Sequence, residues 1–285
     1  MNASRILADW ARSASASAAS WMDAVQINRA ADLLLRARLD RRRMAALPGD
    51  CCPRDEAEAY QVQDRFVDRL LTQHGGGIIG YKAGCTNVTA QRQLGLNSPF
   101  AGPLLSALAP TSPAEISAEA GFMRMIEAEI GFRLGRDLPA TGAPYDAASV
   151  RPALAAAFGA IEVVDSRYED WTTAGAPQLI ADNVCMGFWV YGEETTDLDS
   201  LDFADHGVQV RRNGVAAENG NSANVLDNPL NSAAWLANHL CARGTSLQAG
   251  QLITTGTMIA VNGAEKGDVV EADFGTLGTV RVGFT

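Results

Sequence analysis

Apolar positions along the chain follow two periods. Between Met22 and Leu47, Val25, Ile27, Leu33, Leu34, Leu35, Leu39 and Leu47 alternate with Arg36, Arg38, Arg41, Arg42 and Arg43. That spacing predicts an amphipathic helix with the arginines as its solvated face. The stretch 48–55 breaks it, and Pro53 and Asp55 then signal the start of a second helix over 56–71, packing through Tyr60, Val62, Phe66, Leu70 and Leu71. Gly75, Gly76 and Gly77 end this helical pair. Beyond them the period shortens to that of strands: 78–84, then 125–134, then a buried segment from Ala160 to Arg167. A short helix is expected to start near Thr86 or Asn87. The alanine-rich residues between Pro144 and Gly159 predict a polar loop followed by a helix. A polar turn at Asp182 and Asn183 leads into an apolar strand, and the remainder reads as short strands joined by Gly/Asn turns, interrupted by one helix over 229–241.

A 285-residue chain that is 47% apolar can bury a sizeable core, so a soluble globular protein of enzyme size is expected. Its net charge of −10 argues against a nucleic-acid surface, which relies on clustered Lys and Arg. Five cysteines, Cys51, Cys52, Cys85, Cys185 and Cys241, show neither zinc-ligand spacing nor an even disulfide framework, which suits reduced thiols in a cytoplasm. No apolar run reaches membrane-spanning length and no signal peptide is visible. The expected organisation is an extension over 1–24, a small helical region over 25–77 and a β-rich domain over 78–285.

The candidate chemistry centres on the strand over 125–134. Glu127 and Glu129, two residues apart, share one face of it. Side by side they repel unless water or a cation lies between them, and a hard divalent ion takes oxygen ligands of this kind. An edge strand with a solvated acidic face fits the local pattern equally well. Glu162 interrupts a second apolar strand, where an isolated charge is too costly and must be paired or coordinated. Asp165 and Arg167 come just after it, and a structural ion pair is the plainer reading for those two. Lys82, one of two lysines in the chain, ends a strand before a helix start, a placement that suits a pocket rim, although a surface lysine without a role is the plainer reading of the pattern alone. The histidines His74, His206 and His239 show no partner that would make a nucleophilic triad, and His239 reads as a polar face residue of its helix. There is no internal repeat and no phosphate-binding glycine loop.

Taken in order, GYKAGCTN at 80–87, EAEIGFRL at 127–134, AIEVVDSRYEDW at 160–171, ADN at 181–183 and DNPLNSAAWLANHL followed by LITTGTM resemble the hydratase/decarboxylase branch of the fumarylacetoacetate hydrolase superfamily. That branch holds 2-keto-4-pentenoate hydratases and 4-oxalocrotonate decarboxylases. The resemblance implies an α+β fold, a mixed β-roll or barrel-like core with a small helical N-terminal portion. It also implies a divalent metal, Mg²⁺ or Mn²⁺, held by Glu127, Glu129 and Glu162, the three carboxylates that the charge argument isolates. Lys82, Asp165 and Arg167 fall on the family's catalytic motif positions. Asn183, Cys185 and Met186 fall on a segment that contacts substrate, where the family commonly reads Asn-Ala-Ser-Ser-Gly and this chain places a thiol and a thioether. Gly/Ala-rich residues common before the Asn-Pro helix are here 219–224, Asn-Gly-Asn-Ser-Ala-Asn.

The same resemblance implies a small-molecule 2-oxo acid substrate, a homo-oligomer and a place in aromatic catabolism. A metal-stabilised enolate serves several reactions. Hydration of a 2-hydroxypenta-2,4-dienoate-like acid is the main expectation. Decarboxylation of a 4-oxalocrotonate-like diacid and C–C hydrolysis of an acylpyruvate are the alternatives, and the altered segments also fit a non-catalytic partner subunit. Lys82, with a pKa lowered by a buried, metal-adjacent setting, would shuttle a proton or hold the substrate carboxylate.

Overall fold

The computed structural model describes residues 22–94, 96 and 98–285, so all but residues 22–24 of the expected extension lie outside the described residues. Two helices come first, α1 (Ala24–Leu39) and α2 (Glu56–His74), then β1 (Ile78–Gly84), α3 (Val88–Leu94), β2 (Phe100–Leu105), β3 (Ala114–Ile116) and β4 (Met125–Leu134). The chain continues through α4 (Ala147–Val150), β5 (Leu154–Val164), α5 (Ala176–Ala181), β6 (Met186–Tyr191), β7 (Gly207–Arg212) and β8 (Val215–Asn221). It closes with α6 (Pro229–Ala242), β9 (Leu252–Thr257), β10 (Asn262–Gly263), β11 (Val269–Asp273) and β12 (Thr279–Phe284). One sheet runs β2-β1-β9-β4-β5-β6, with β10 added on β4, and the other runs β3-β12-β11-β7-β8.

Both faces of the first sheet are covered, and each has its own core. Ile126, Ala128, Ile130 and Phe132 of β4 point toward the second sheet, where they join Val208, Val280 and Val282, with Leu236 and Leu240 of α6. Ala30 and Leu34 of α1 and Val62, Phe66 and Leu70 of α2 pack on the opposite face, against Leu104, Phe158, Ala160 and Trp189. The period of two in β4 therefore sends its apolar residues to one core and Glu127 and Glu129 to the helix-covered face. This is the expected α+β architecture, with the helical pair built onto the sheet.

Three local expectations are corrected. The alanine-rich segment is strand: β5 begins at Leu154, and only Ala147–Val150 before it is helical. It pairs with β4 on one side and β6 on the other, and is buried along nearly its whole length. Small side chains allow close approach from both layers, and that packing overrides alanine's helical preference. The first helix stops at Leu39, where Arg41 turns left-handed at φ 51° and the Arg42 N–H reaches back 3.0 Å to the Ala37 carbonyl in a Schellman-type closure. Arg38 is not on a solvated face: it is 9% exposed, and its guanidinium donates to the carbonyls of Met186 (3.0 Å) and Gly187 (3.3 Å).

Candidate metal centre

The β4–β5 register sets the site. Glu127 stands opposite Glu162 and Glu129 opposite Ala160, so all three carboxylates rise from adjacent central strands on one face. One oxygen from each lies within 4.8 Å of the others. Glu129 and Glu162 are both 1% exposed, and Glu127 is half-buried. The solvated-edge reading of the acidic strand therefore fails: β4 is flanked by β9 and β5.

Lys82 reaches this cluster from β1, across β9. In the ladder Lys82 pairs with Thr254 of β9. The Thr254 hydroxyl donates to the Glu129 carboxylate, while the Lys82 ammonium contacts Glu162 and donates to the Val184 carbonyl at 3.0 Å. Glu162 Oε2 is buried without a partner. A surface lysine is thus replaced by a buried one, 2% exposed.

Three carboxylates and one ammonium leave excess negative charge in a dry setting. Burial pushes the Glu127 carboxyl up to about 8, with the Glu162 charge adding to the effect. Burial and the neighbouring Glu162 and Glu127 charges hold Glu129 well above the usual carboxylate range. Glu162 is raised by burial too, although the Lys82 ammonium opposes it. Burial alone would lower the Lys82 pKa, but the three carboxylates outweigh it and the pKa is raised, contrary to the lowered value expected for a proton shuttle. Convergent hard oxygen donors, one of them with an oxygen that has no partner, fit a divalent cation such as Mg²⁺, Ca²⁺ or Mn²⁺.

Asp165 and Arg167 lie in a neighbouring buried network, and neither hydrogen-bonds to the three glutamates. Arg167 is fully buried, and its main partner is Asp182: the side-chain Nε meets the Asp182 carboxylate and the backbone N–H donates to it at 3.1 Å. The expected contact with Asp165 is present but longer, at 3.4 Å. Asp165 instead accepts from the backbone N–H groups of Phe122 (2.8 Å) and Met123 (2.9 Å), which fixes the approach to β4.

Asn183 is buried beside the site. Its amide donates to the Pro103 carbonyl at 3.1 Å, and its Oδ1 has no partner. Cys185 and Met186 pack in the helix-side core with Trp189 and Leu179, and neither hydrogen-bonds to the glutamates. Asn183, Val184 and Cys185 all adopt left-handed backbone angles, φ 49°, 55° and 54°. For residues other than glycine this costs on the order of 1–3 kcal/mol each, and such outliers concentrate at functional sites.

Three contributors escape pattern reading. Thr254 carries only the weak signal of a Thr-Thr pair in an apolar strand, Asp182 reads as a turn residue, and Arg38 gives no signal at all. His239, which its pattern places on a polar face, is buried at 9% exposure and stacked on Trp235 at a ring separation of 4.8 Å.

Known proteins resemble this chain in sequence and in fold. Residues 81–285 match the fumarylacetoacetate (FAA) hydrolase C-terminal family model. The chain is 34% identical over 237 residues to a 2-keto-4-pentenoate hydratase from Burkholderia vietnamiensis, covering 83% of this chain and 89% of that one. It is 32% identical over 230 residues to a 2-hydroxyhexa-2,4-dienoate hydratase from Comamonas testosteroni, covering 80% and 86% respectively. Its fold superposes on 4-oxalocrotonate decarboxylase from Pseudomonas putida G7, complexed with magnesium and adipate, with a TM-score of 0.87 at 28% identity over 93% of this chain and 100% of the other. Family model, relatives and fold agree: the chain belongs to the fumarylacetoacetate hydrolase family, in the branch of the 2-keto-4-pentenoate hydratases and 4-oxalocrotonate decarboxylases.

Proposed function

We propose that this protein is a divalent-metal-dependent lyase that hydrates a 2-hydroxypenta-2,4-dienoate-like acid, with Glu127, Glu129 and Glu162 holding Mg²⁺ or Mn²⁺. The observation that carries the reading is the buried convergence of those three carboxylates with Lys82 against one of them. A bound divalent cation supplies electrostatic stabilisation of negative charge that develops on the substrate's 2-oxygen. Thr254 orients Glu129 through its hydroxyl. Lys82, an ammonium in this setting, would present N–H donors to a substrate carboxylate or a proton to a carbanionic carbon. Val184 and Phe100, both buried beside Gly84, give that side an apolar wall which limits water.

The two buried arginines favour hydration over reactions of diacids. Arg167 is committed to Asp182, and Arg38 to two backbone carbonyls, so neither is free to receive a second substrate carboxylate. The likeness to the decarboxylase favours loss of CO₂ from a 4-oxalocrotonate-like diacid as the second reading. Proton NMR of the Mg²⁺-loaded protein with each acid separates them. Hydration converts the dienoate to 4-hydroxy-2-oxopentanoate, whereas decarboxylation consumes the diacid and releases CO₂. Turnover of the diacid alone would replace the first reading by the second.

A further inference from the structure

The left-handed run Asn183–Cys185 contains no glycine, and Val184 at its centre is β-branched. Such a run persists only where its surroundings over-determine it. Here one guanidinium holds both ends: Arg167 Nη2 donates to the Asp182 carbonyl at 3.0 Å, and Nη1 donates to the Met186 carbonyl at 3.3 Å. Arg38 adds a second donor to the Met186 carbonyl.

The turn is also pressed onto the sheet around Lys82. A Cβ on Gly84 would meet Val184 Cγ1 at 2.6 Å, and one on Gly102 would meet Val184 Cγ2 at 3.3 Å and Asn183 Oδ1 at 2.5 Å. Gly102 pairs with Lys82, and Gly84 lies two residues further along β1, so both glycines open on the face from which the lysine rises. Val184 straddles them, and its carbonyl accepts from Lys82 Nζ at 3.0 Å.

We propose that Arg167 is a positioning residue: it clamps the left-handed turn, and the turn's Val184 carbonyl fixes the Lys82 ammonium over the three glutamates. The functional meaning rests on Lys82 serving the reaction proposed above, but the geometry is testable without substrate. The chain has two lysines, Lys82 and Lys266. Labelling with ¹⁵N-lysine therefore gives two ammonium groups, and Lys266→Arg assigns them.

In metal-free wild-type protein the Lys82 ammonium protons should exchange at least about tenfold more slowly than those of exposed Lys266. Arg167→Met removes the clamp, and Gly84→Ala wedges the turn off the sheet while keeping every buried charge. In each, Lys82 exchange should accelerate by at least about fivefold and its ¹⁵N shift should move, with Lys266 unchanged. Mn²⁺ affinity should stay within about threefold, because the ligands and their hydroxyl partner remain.

An unmoved Lys82 signal in folded Arg167→Met protein overturns the proposal, since Glu162 alone would then hold the lysine. If that variant does not fold because Asp182 and Asp165 lose their partner, Gly84→Ala decides, and an unmoved signal there is equally fatal. Absence of turnover in wild-type protein would instead count against the proposed reaction and leave this result standing.

Discussion

Glu127 stands directly opposite Glu162 across the antiparallel β4–β5 ladder, a placement that like charges disfavour, and among the described residues Lys82 is the cation in contact with the pair's second member. The Lys82 ammonium and carboxyls whose pKa values are lifted offset that repulsion within the protein itself.

The first consequence concerns pH. Burial and the Glu162 charge push the Glu127 carboxyl up from 4.5 to about 8, so the folded state binds the extra proton between those limits. Stability of the metal-free protein should therefore be greatest at low pH within that window and fall as pH rises from about 4.5 through about 8. Thermal melts across the window should show this slope in EDTA and lose most of it in saturating Mg²⁺. A melting temperature that rises over that range without metal would contradict the charge assignment.

Replacing Lys82 by methionine removes the cation in contact with Glu162 while keeping the stem. Divalent affinity should hold or rise, because a competitor for the carboxylate is gone, whereas turnover should fall by about 10² or more. Calorimetric titration together with product NMR checks both halves. A large loss of metal affinity would mean that the ammonium supports the ligand set instead of competing with it.

Thr254→Val preserves shape and β-branching but leaves the buried Glu129 carboxylate without its hydroxyl donor. The expected outcome is a loss of roughly 1–3 kcal/mol in stability and weaker metal binding by about tenfold. Urea unfolding and Mn²⁺ titration read the two effects, and unchanged metal binding would remove Thr254 from the site.

Arg38 ties α1 to the segment after the left-handed turn. Arg38→Met leaves the Gly187 carbonyl without this donor and should cost roughly 1–3 kcal/mol, seen as a shift in the urea midpoint. Were Arg38 the solvated residue that its helical position suggests, the change would be within about 0.5 kcal/mol.

The residues most legible in the sequence are those whose cost is local. Glu127 and Glu129 two apart in an apolar strand, and Glu162 inside another, declare themselves because buried charge must be compensated nearby. The capping signal at Asp55 likewise marks α2 correctly, its side chain accepting from the Glu58 N–H at 2.9 Å. The hidden features depend on partners distant in sequence. Ala156 and Ala157 are strand because they pair with Arg133 and Phe132 of β4, with Thr195 bridged to Ala157, and composition alone reads them as helix. Arg38 is buried by carbonyls 148 and 149 residues away. Arg167 finds its main partner in Asp182, not in the nearby Asp165 that the pattern offers. The direction of the Lys82 shift is equally hidden, because it depends on how many carboxylates the fold gathers, and three outweigh the burial that one lysine in an apolar pocket would feel.

The most direct measurement of the central claim is an electron paramagnetic resonance titration of Mn²⁺ into wild-type protein and into Glu127→Gln, Glu129→Gln and Glu162→Gln. A three-glutamate centre predicts about one tightly held ion per wild-type chain and at least about a tenfold weakening in each folded variant, with hydration lost in step with the metal. Undiminished Mn²⁺ binding in all three variants would place the metal elsewhere and contradict that assignment.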